Sequence, residues 1–219
     1  MPSVQPPTGD VLSDLPIHAG LVEQVRKRPQ PGERRAQILQ VLATMLEQPA
    51  AERITTATLA ARLAVSEAAL YRHFASKAQM YEGLIDFIER SVFSLVNQIV
   101  ERETASGPTG QAEKVITVVM HFAEKNPGLS RVMVGDALVF ENLRLQQRMN
   151  LFFDKLEASL KQMLRGHVEA SASAGATLDA QVRASLMTAF LAGRLQRFVR
   201  SGFKRMPTEN LEATLFLMR

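Results

Sequence analysis

Thirteen residues, Val65 to Lys77, read VSEAALYRHFASK and gather many of the side chains in this sequence that can grip a polyanion. Ser66 is a good N-cap. The helix it would start, expected over 67–73, turns Glu67, Ala68, Ala69, Tyr71 and Arg72 outward and Leu70 inward. Alanines let a helix sit deep in a DNA major groove, with their methyls on thymine methyl groups; Glu67 can accept from a cytosine amino group or cap the helix. Thr55 and Thr56 upstream, together with Tyr71, His73 and Lys77, can hydrogen-bond to phosphates and fix the register. Other chemistries find less support. His121 and Glu124 stand three residues apart, a spacing at which a helix can ligate a metal, but a bundle site needs a second such set and the sequence holds none. With no cysteine, thiolate metal sites and disulfides are excluded. There is no glycine-rich phosphate loop, Gly-x-Ser-x-Gly or His-Glu-x-x-His, so no enzyme activity, metal or cofactor is expected.

The elements that must hold those residues are helical. Ile38, Leu39, Leu42, Met45 and Leu46 recur at helical spacing from Glu33 to Gln48, and Pro49 closes the segment. Thr55 or Thr56 can cap a short helix to Leu63, and Ala64-Val65 makes a tight connection to the helix after Ser66. Two short helices joined by about three residues, behind a third, have the layout of a helix-turn-helix, whose second helix enters the major groove. Leu59, Leu63, Val65 and Leu70 would be its core. The alternative is a helical hairpin that fills space beside a core. Charge separates the two: residues 26–80 hold nine Lys/Arg against four Asp/Glu, while 81–219 hold seventeen against fifteen. The basic excess lies with the short helices and points to an anionic partner there.

Ser76 and Gln79 fit a capping box for a long helix to about Arg102. ETASGPTG at 103–110 reads as a loop, followed by helices over 113–125, to about 139, and from 141 to 166. EASASAGA at 169–176 reads as a second loop, before a helix over 178–200 and a last one after Pro207. Nothing reads as a strand, so the expected fold class is all-α. Residues 1–30 carry five of the ten prolines and read as a disordered tail, ending in Arg26-Lys27-Arg28 as a solubilising segment or a phosphate-touching arm. The expected organisation is a 1–30 tail, a DNA-binding unit over 31–78 and a larger helical domain over 79–219. No apolar run approaches the ~18 residues of a membrane span, and no signal-peptide pattern opens the chain, which fits a cytoplasmic protein.

The stretch ITTATLAARLAVSEAALYRHFASKAQMYEGLI (54–85) resembles the DNA-binding domain of TetR-type regulators, with Tyr71, His73, Phe74, Ser76 and Lys77 in the family's closing signature. Ala64 stands where the family usually has glycine. EKNPGLSRVMVGDALVFENLRLQQRMN (124–150) and RFVRSGFKRMPT (197–208) resemble the nucleoid occlusion factors of the SlmA type, one branch of that fold. The proline-rich stretch 1–30 has no counterpart in that pattern. The resemblance implies a nucleoid-associated homodimer on palindromic DNA that antagonises polymerisation of the division GTPase FtsZ through its C-terminal tail. It also implies a tail groove beside Phe87, Lys125 and Asn126; His121 and Val118 lie one and two turns earlier on the same helix face. The last two long helices would dimerise, with Ala189 and Gly193 allowing close approach and Leu186, Phe190 and Phe198 supplying apolar area. Phe122, Met133, Phe140 and Phe152 fit either a solid core or the small-molecule pocket of a ligand-responsive repressor on the same fold, which is the alternative function.

Overall fold

A computed structural model describes residues 32–48, 54–102, 106–166 and 174–218, with side chains of the last segment from 177. The expected 1–30 tail and the proline expected to close the first helix lie outside the described residues. Among the described residues there are nine α-helices and no strand. They are α1 (Glu33–Leu46), α2 (Thr56–Arg62), α3 (Glu67–Tyr71), α4 (Lys77–Arg102), α5 (Gly107–Lys125), α6 (Pro127–Met133), α7 (Leu143–Arg165), α8 (Ala174–Arg200) and α9 (Leu211–Phe216).

Two boundaries differ from expectation for a physical reason. α5 starts at Gly107, inside the expected loop, because Pro108 falls in its first turn, where a fixed φ suits the helix and no N–H is missed. α8 starts at Ala174, inside the expected loop, because the single glycine there, Gly175, costs only about 1 kcal/mol relative to alanine and the long helix behind it outweighs that. α3 ends two residues early, at Tyr71. The expected helix to about 139 stops at Met133; Gly135, at φ 79°, then turns the chain into a 3-10 turn over Asp136–Leu138.

α5 lies at the centre. Val115, Ile116, Val118, Val119, Met120, Phe122 and Ala123 are all buried, so it is apolar around most of its circumference, as an enclosed helix must be. α4, α6, α7 and α8 pack around it. α7 and α8 run antiparallel, with Gln181 donating to Glu157 across the pair at 3.0 Å. One apolar cluster runs from Ile38 in α1 to Leu215 in α9, so the N-terminal helices are not a separate body on a linker. Two tight approaches lock α1 in place. Gly83 of α4 faces Leu39, and Gly128 of α6 lies so close to α1 that a Cβ there would stand 2.0 Å from the Ala43 carbonyl oxygen. Arg131 then donates to the Leu46 and Gln48 carbonyls at 3.4 Å, placing a cation at the negative end of α1.

Candidate nucleic-acid interface and partner surfaces

The helix-turn-helix is built by local hydrogen bonds. Thr55 and Thr58 form a reciprocal capping box at the start of α2, with Thr58 N–H donating to Thr55 Oγ1 at 3.1 Å and Thr55 N–H to Thr58 Oγ1 at 3.0 Å. At the other end Val65 N–H donates to the Ala60 carbonyl at 3.0 Å, and Ala64 sits at φ 53°, the left-handed position of a Schellman turn. Ser66 Oγ accepts from Ala69 N–H at 3.3 Å and starts α3. Leu59, Leu70 and Phe74 are buried beneath, while Leu63 and Val65 are half buried. Arg35 of α1 stacks 4.1 Å over the Phe74 ring and donates to the His73 carbonyl, pinning the far end of α3.

Of the side chains expected to meet DNA, Glu67, Ala68 and Tyr71 stand exposed on α3, Arg72 is exposed at its C-terminal end, and Thr55 is exposed just before α2. Tyr71 is 47% exposed, with its ring and hydroxyl open to a ligand. Ala69 and His73 are half buried rather than outward. Thr56 is committed elsewhere, because its hydroxyl donates to Glu67 Oε2 at 2.5 Å and ties the starts of α2 and α3 together. Glu67 is therefore a clamp inside the motif as well as part of its outer face.

Lys77 departs furthest from expectation. Its ammonium lies 2.5 Å from Glu141 Oε1, with the two side chains only 19% and 10% exposed, and 5.6 Å from the centre of the Tyr81 ring. It faces the C-terminal helices, not the outer face of the head, and leaves the phosphate-contact set. The bond opens a ladder of ion pairs between α4 and the α7 side: Glu82–Arg144, Asp86–Arg148 at 2.8 Å, Glu89–Arg148 at 2.7 Å and Glu89–Lys155 at 3.9 Å. Desolvation opposes the charge on Arg148, yet the bonds from Asp86 and Glu89 outweigh it and raise its pKa above the ordinary value. Burial, assisted by Glu141, pushes the Tyr81 hydroxyl above its usual range, so it stays neutral. Spacing along the chain could reveal neither Arg35 nor Glu141 as partners, because the contacts close over 38 and 64 residues.

The second candidate surface lies where α4 meets the end of α5. Phe87 is 39% exposed and leans on buried Phe122, ring centroids 6.5 Å apart. Asn126 Nδ2 donates to the Phe122 carbonyl at 2.7 Å, and half-buried Lys125 supplies positive charge in the last turn of α5. Val118 is buried and leaves the groove set. His121 Nδ1 is 3.5 Å from Glu124, but Glu124 also accepts from the Thr208 N–H and hydroxyl. That pair locks the segment after α8 onto α5, which accounts for the spacing that invited a metal reading.

The third surface is the outer side of α7 and α8. Leu178, Val182, Leu186, Ala189 and Gly193, at steps of three or four, form an exposed stripe down α8, with Leu143 and Leu151 exposed on α7. Around Gly193 the space is open. Phe190 lies at the edge of this stripe, half buried, with the Arg194 guanidinium 5.1 Å over its ring. Phe198 is 1% exposed, edge-on to Phe203 in its own chain, and so cannot supply area to a partner. Of the four residues left between core and pocket, Phe122, Met133 and Phe152 are core, while Phe140 is 75% exposed.

A three-helix head with an exposed α3, fused by a long α4 to an all-helical body, is the build of a helix-turn-helix protein. Residues 38–84 match the model of the bacterial regulatory proteins of the tetR family, and residues 109–219 match that of the SlmA-like, tetracyclin repressor-like C-terminal domain. The nucleoid occlusion factor SlmA of Shewanella sediminis is 50% identical over 82% of this chain and 89% of its own length; that of Alteromonas mediterranea is 49% identical over 80% and 89%. Among solved structures, a TetR transcriptional regulator from Legionella pneumophila matches with a TM-score of 0.65 at 13% identity, covering 87% of this chain and 98% of that one. FadR from Bacillus subtilis, solved with stearoyl-CoA, matches at 0.61 and 14%, over 84% and 96%; both likenesses concern the fold alone. The chain belongs to the SlmA-type nucleoid occlusion factors of the TetR family.

Proposed function

We propose that the protein acts as a nucleoid-associated, DNA-bound homodimer that antagonises FtsZ polymerisation over the chromosome and so prevents premature septation. The observation that carries this reading is the half-exposed Phe87 on the Phe122 ring, beside Lys125 and Asn126 in the NPGL segment. An apolar platform flanked by a cation suits an extended tail of mixed acidic and apolar character. The α3 face supplies the reading head, with Ala68 against bases and Tyr71 and Arg72 within reach of phosphates. One five-residue helix reads few bases, so the exposed α7–α8 face completes the reader by pairing two heads across a palindrome, ~34–36 Å apart. Co-sedimentation of FtsZ polymers with this protein, with and without a palindromic site selected on it, tests the reading. Loss of polymer only in the presence of both protein and site is expected; unaffected polymer under both conditions would sink it.

A further inference from the structure

Between the α6–α7 corner (residues 134–142) and the C-terminal half of α8 lies an open groove of about 510 Å³. Met133, Val139, Met149, Phe153, Ala192 and Val199 give it apolar walls, while Asp136, Gln146, Asn150, Gln196 and Arg200 make much of the remaining lining polar. Phe140, next to Val139, does not line the groove; it stands 75% exposed, with Val139 and Leu143 also exposed around it. A large aromatic knob beside a groove with apolar walls and a polar rim, both on one surface, can pair with its own copy under a two-fold axis, ring against wall. The groove is continuous with the dimer face, because Ala192, Gln196 and Val199 follow directly on the stripe of Leu186, Ala189 and Gly193 along α8.

We propose that this groove receives Phe140 of a second copy of the chain, so that the dimer is closed by two reciprocal phenyl insertions at the end of the body nearest the DNA heads. The inference rests on the dimer reading above and adds to it a contact and a consequence. Each inserted ring buries ~150–250 Å², a substantial share of the ~1,200–2,000 Å² that a stable interface covers. The consequence lies in the next residue. Glu141 holds Lys77 at the first position of α4, so a phenyl seated in the partner fixes the corner that anchors the head. Dimer closure and head position are then set by adjacent residues.

The absence of cysteine makes the test direct. Phe140→Cys and Gln196→Cys are prepared as separate single-cysteine proteins of different mass, mixed, exchanged and treated with a short bismaleimide. A mixed-mass covalent dimer in several-fold excess over either unmixed control is expected. In sedimentation equilibrium Phe140→Ser should raise the dimer dissociation constant at least tenfold with unchanged helical circular dichroism, since the ring is exposed in its own chain. A chain that sediments as a dimer but gives no mixed cross-link overturns the insertion and leaves the dimer reading standing. So does a dissociation constant within twofold of the parent, or efficient linkage of Phe140→Cys to itself. A chain that stays monomeric at every concentration overturns both.

Discussion

Replacing Lys77 by methionine and Glu141 by glutamine, singly and together, separates two accounts of Lys77. If it were a phosphate contact, its loss would leave stability unchanged and reduce the salt slope of DNA binding by about 0.9. The structure instead places it 2.5 Å from Glu141, with side chains 19% and 10% exposed. A hydrogen bond to a charged group contributes about 1.5–3 kcal/mol, between the near-zero of exposed pairs and the ~3–5 kcal/mol lost when a fully buried pair is broken. The partial exposure argues for the lower half of the range, about 2 kcal/mol. The Tyr81 face, 5.6 Å from the ammonium, adds ~0.5 kcal/mol to the lysine variant alone. Each single variant should therefore lower the midpoint of thermal unfolding by roughly 4–8 °C for a chain of this size. The double variant should lose little more than either single one. Urea unfolding of all four proteins yields the coupling energy, expected at about 1.5–2 kcal/mol, and a salt titration of DNA binding should return the parent slope. A coupling below ~0.5 kcal/mol with a slope reduced by about one phosphate would refute the reasoning and return Lys77 to the DNA interface.

Gly128→Ala places a Cβ 2.0 Å from the Ala43 carbonyl oxygen, a backbone atom that side-chain motion does not relieve. Denaturant unfolding should show a loss of about 3 kcal/mol or more, and a loss under ~1 kcal/mol would mean that α1 and α6 slide apart freely. Ala64→Gly removes the ~1–2 kcal/mol left-handed penalty at φ 53° and adds the ~0.5–1 kcal/mol entropic cost of glycine. A net gain of about 0.5–1 kcal/mol with unchanged DNA affinity is expected by the same measurement; destabilisation would count against it. Phe87→Asp, on a ring 39% exposed, should abolish binding of an FtsZ tail peptide in fluorescence anisotropy while leaving palindrome binding intact. Equal tail affinity would remove this surface from the proposal.

Much of the fold follows from local rules. The 3.6-residue spacing of Ile38, Leu42 and Leu46, of Met80 to Ile99, and of Leu145 to Met163 settles an all-helical chain, because each stripe buries only as a helix. Thr55, Ser66 and Ser76 mark helix starts through side-chain oxygens that reach N–H groups three residues on, a bond decided within four residues. Most of the exposed face of α3 was legible for the same reason: a cap fixes the phase of the helix, and the phase turns Glu67, Ala68, Tyr71 and Arg72 out and Leu70 in, with only Ala69 half buried against expectation.

What local rules leave open is every contact that closes over distance. A lysine in a DNA-binding signature carries the same charge whether it faces phosphate or Glu141, and only the packing of α4 against the α6–α7 corner brings that carboxylate to it. Phe140 and Phe198 have the same side chain and hydropathy. One is exposed at a corner and the other sealed against Phe203 in its own chain. Periodicity also places Val118 and His121 on one helix face, but Val118 is turned into the core and His121 sits beside a Glu124 bound to Thr208. The sequence by itself determined the helices, most of their caps and most of the exposed residues of α3, because those depend on neighbours within one or two turns. The tertiary structure decided which polar groups are free to bind and which are already paired, because burial and pairing depend on residues brought together from dozens of positions away.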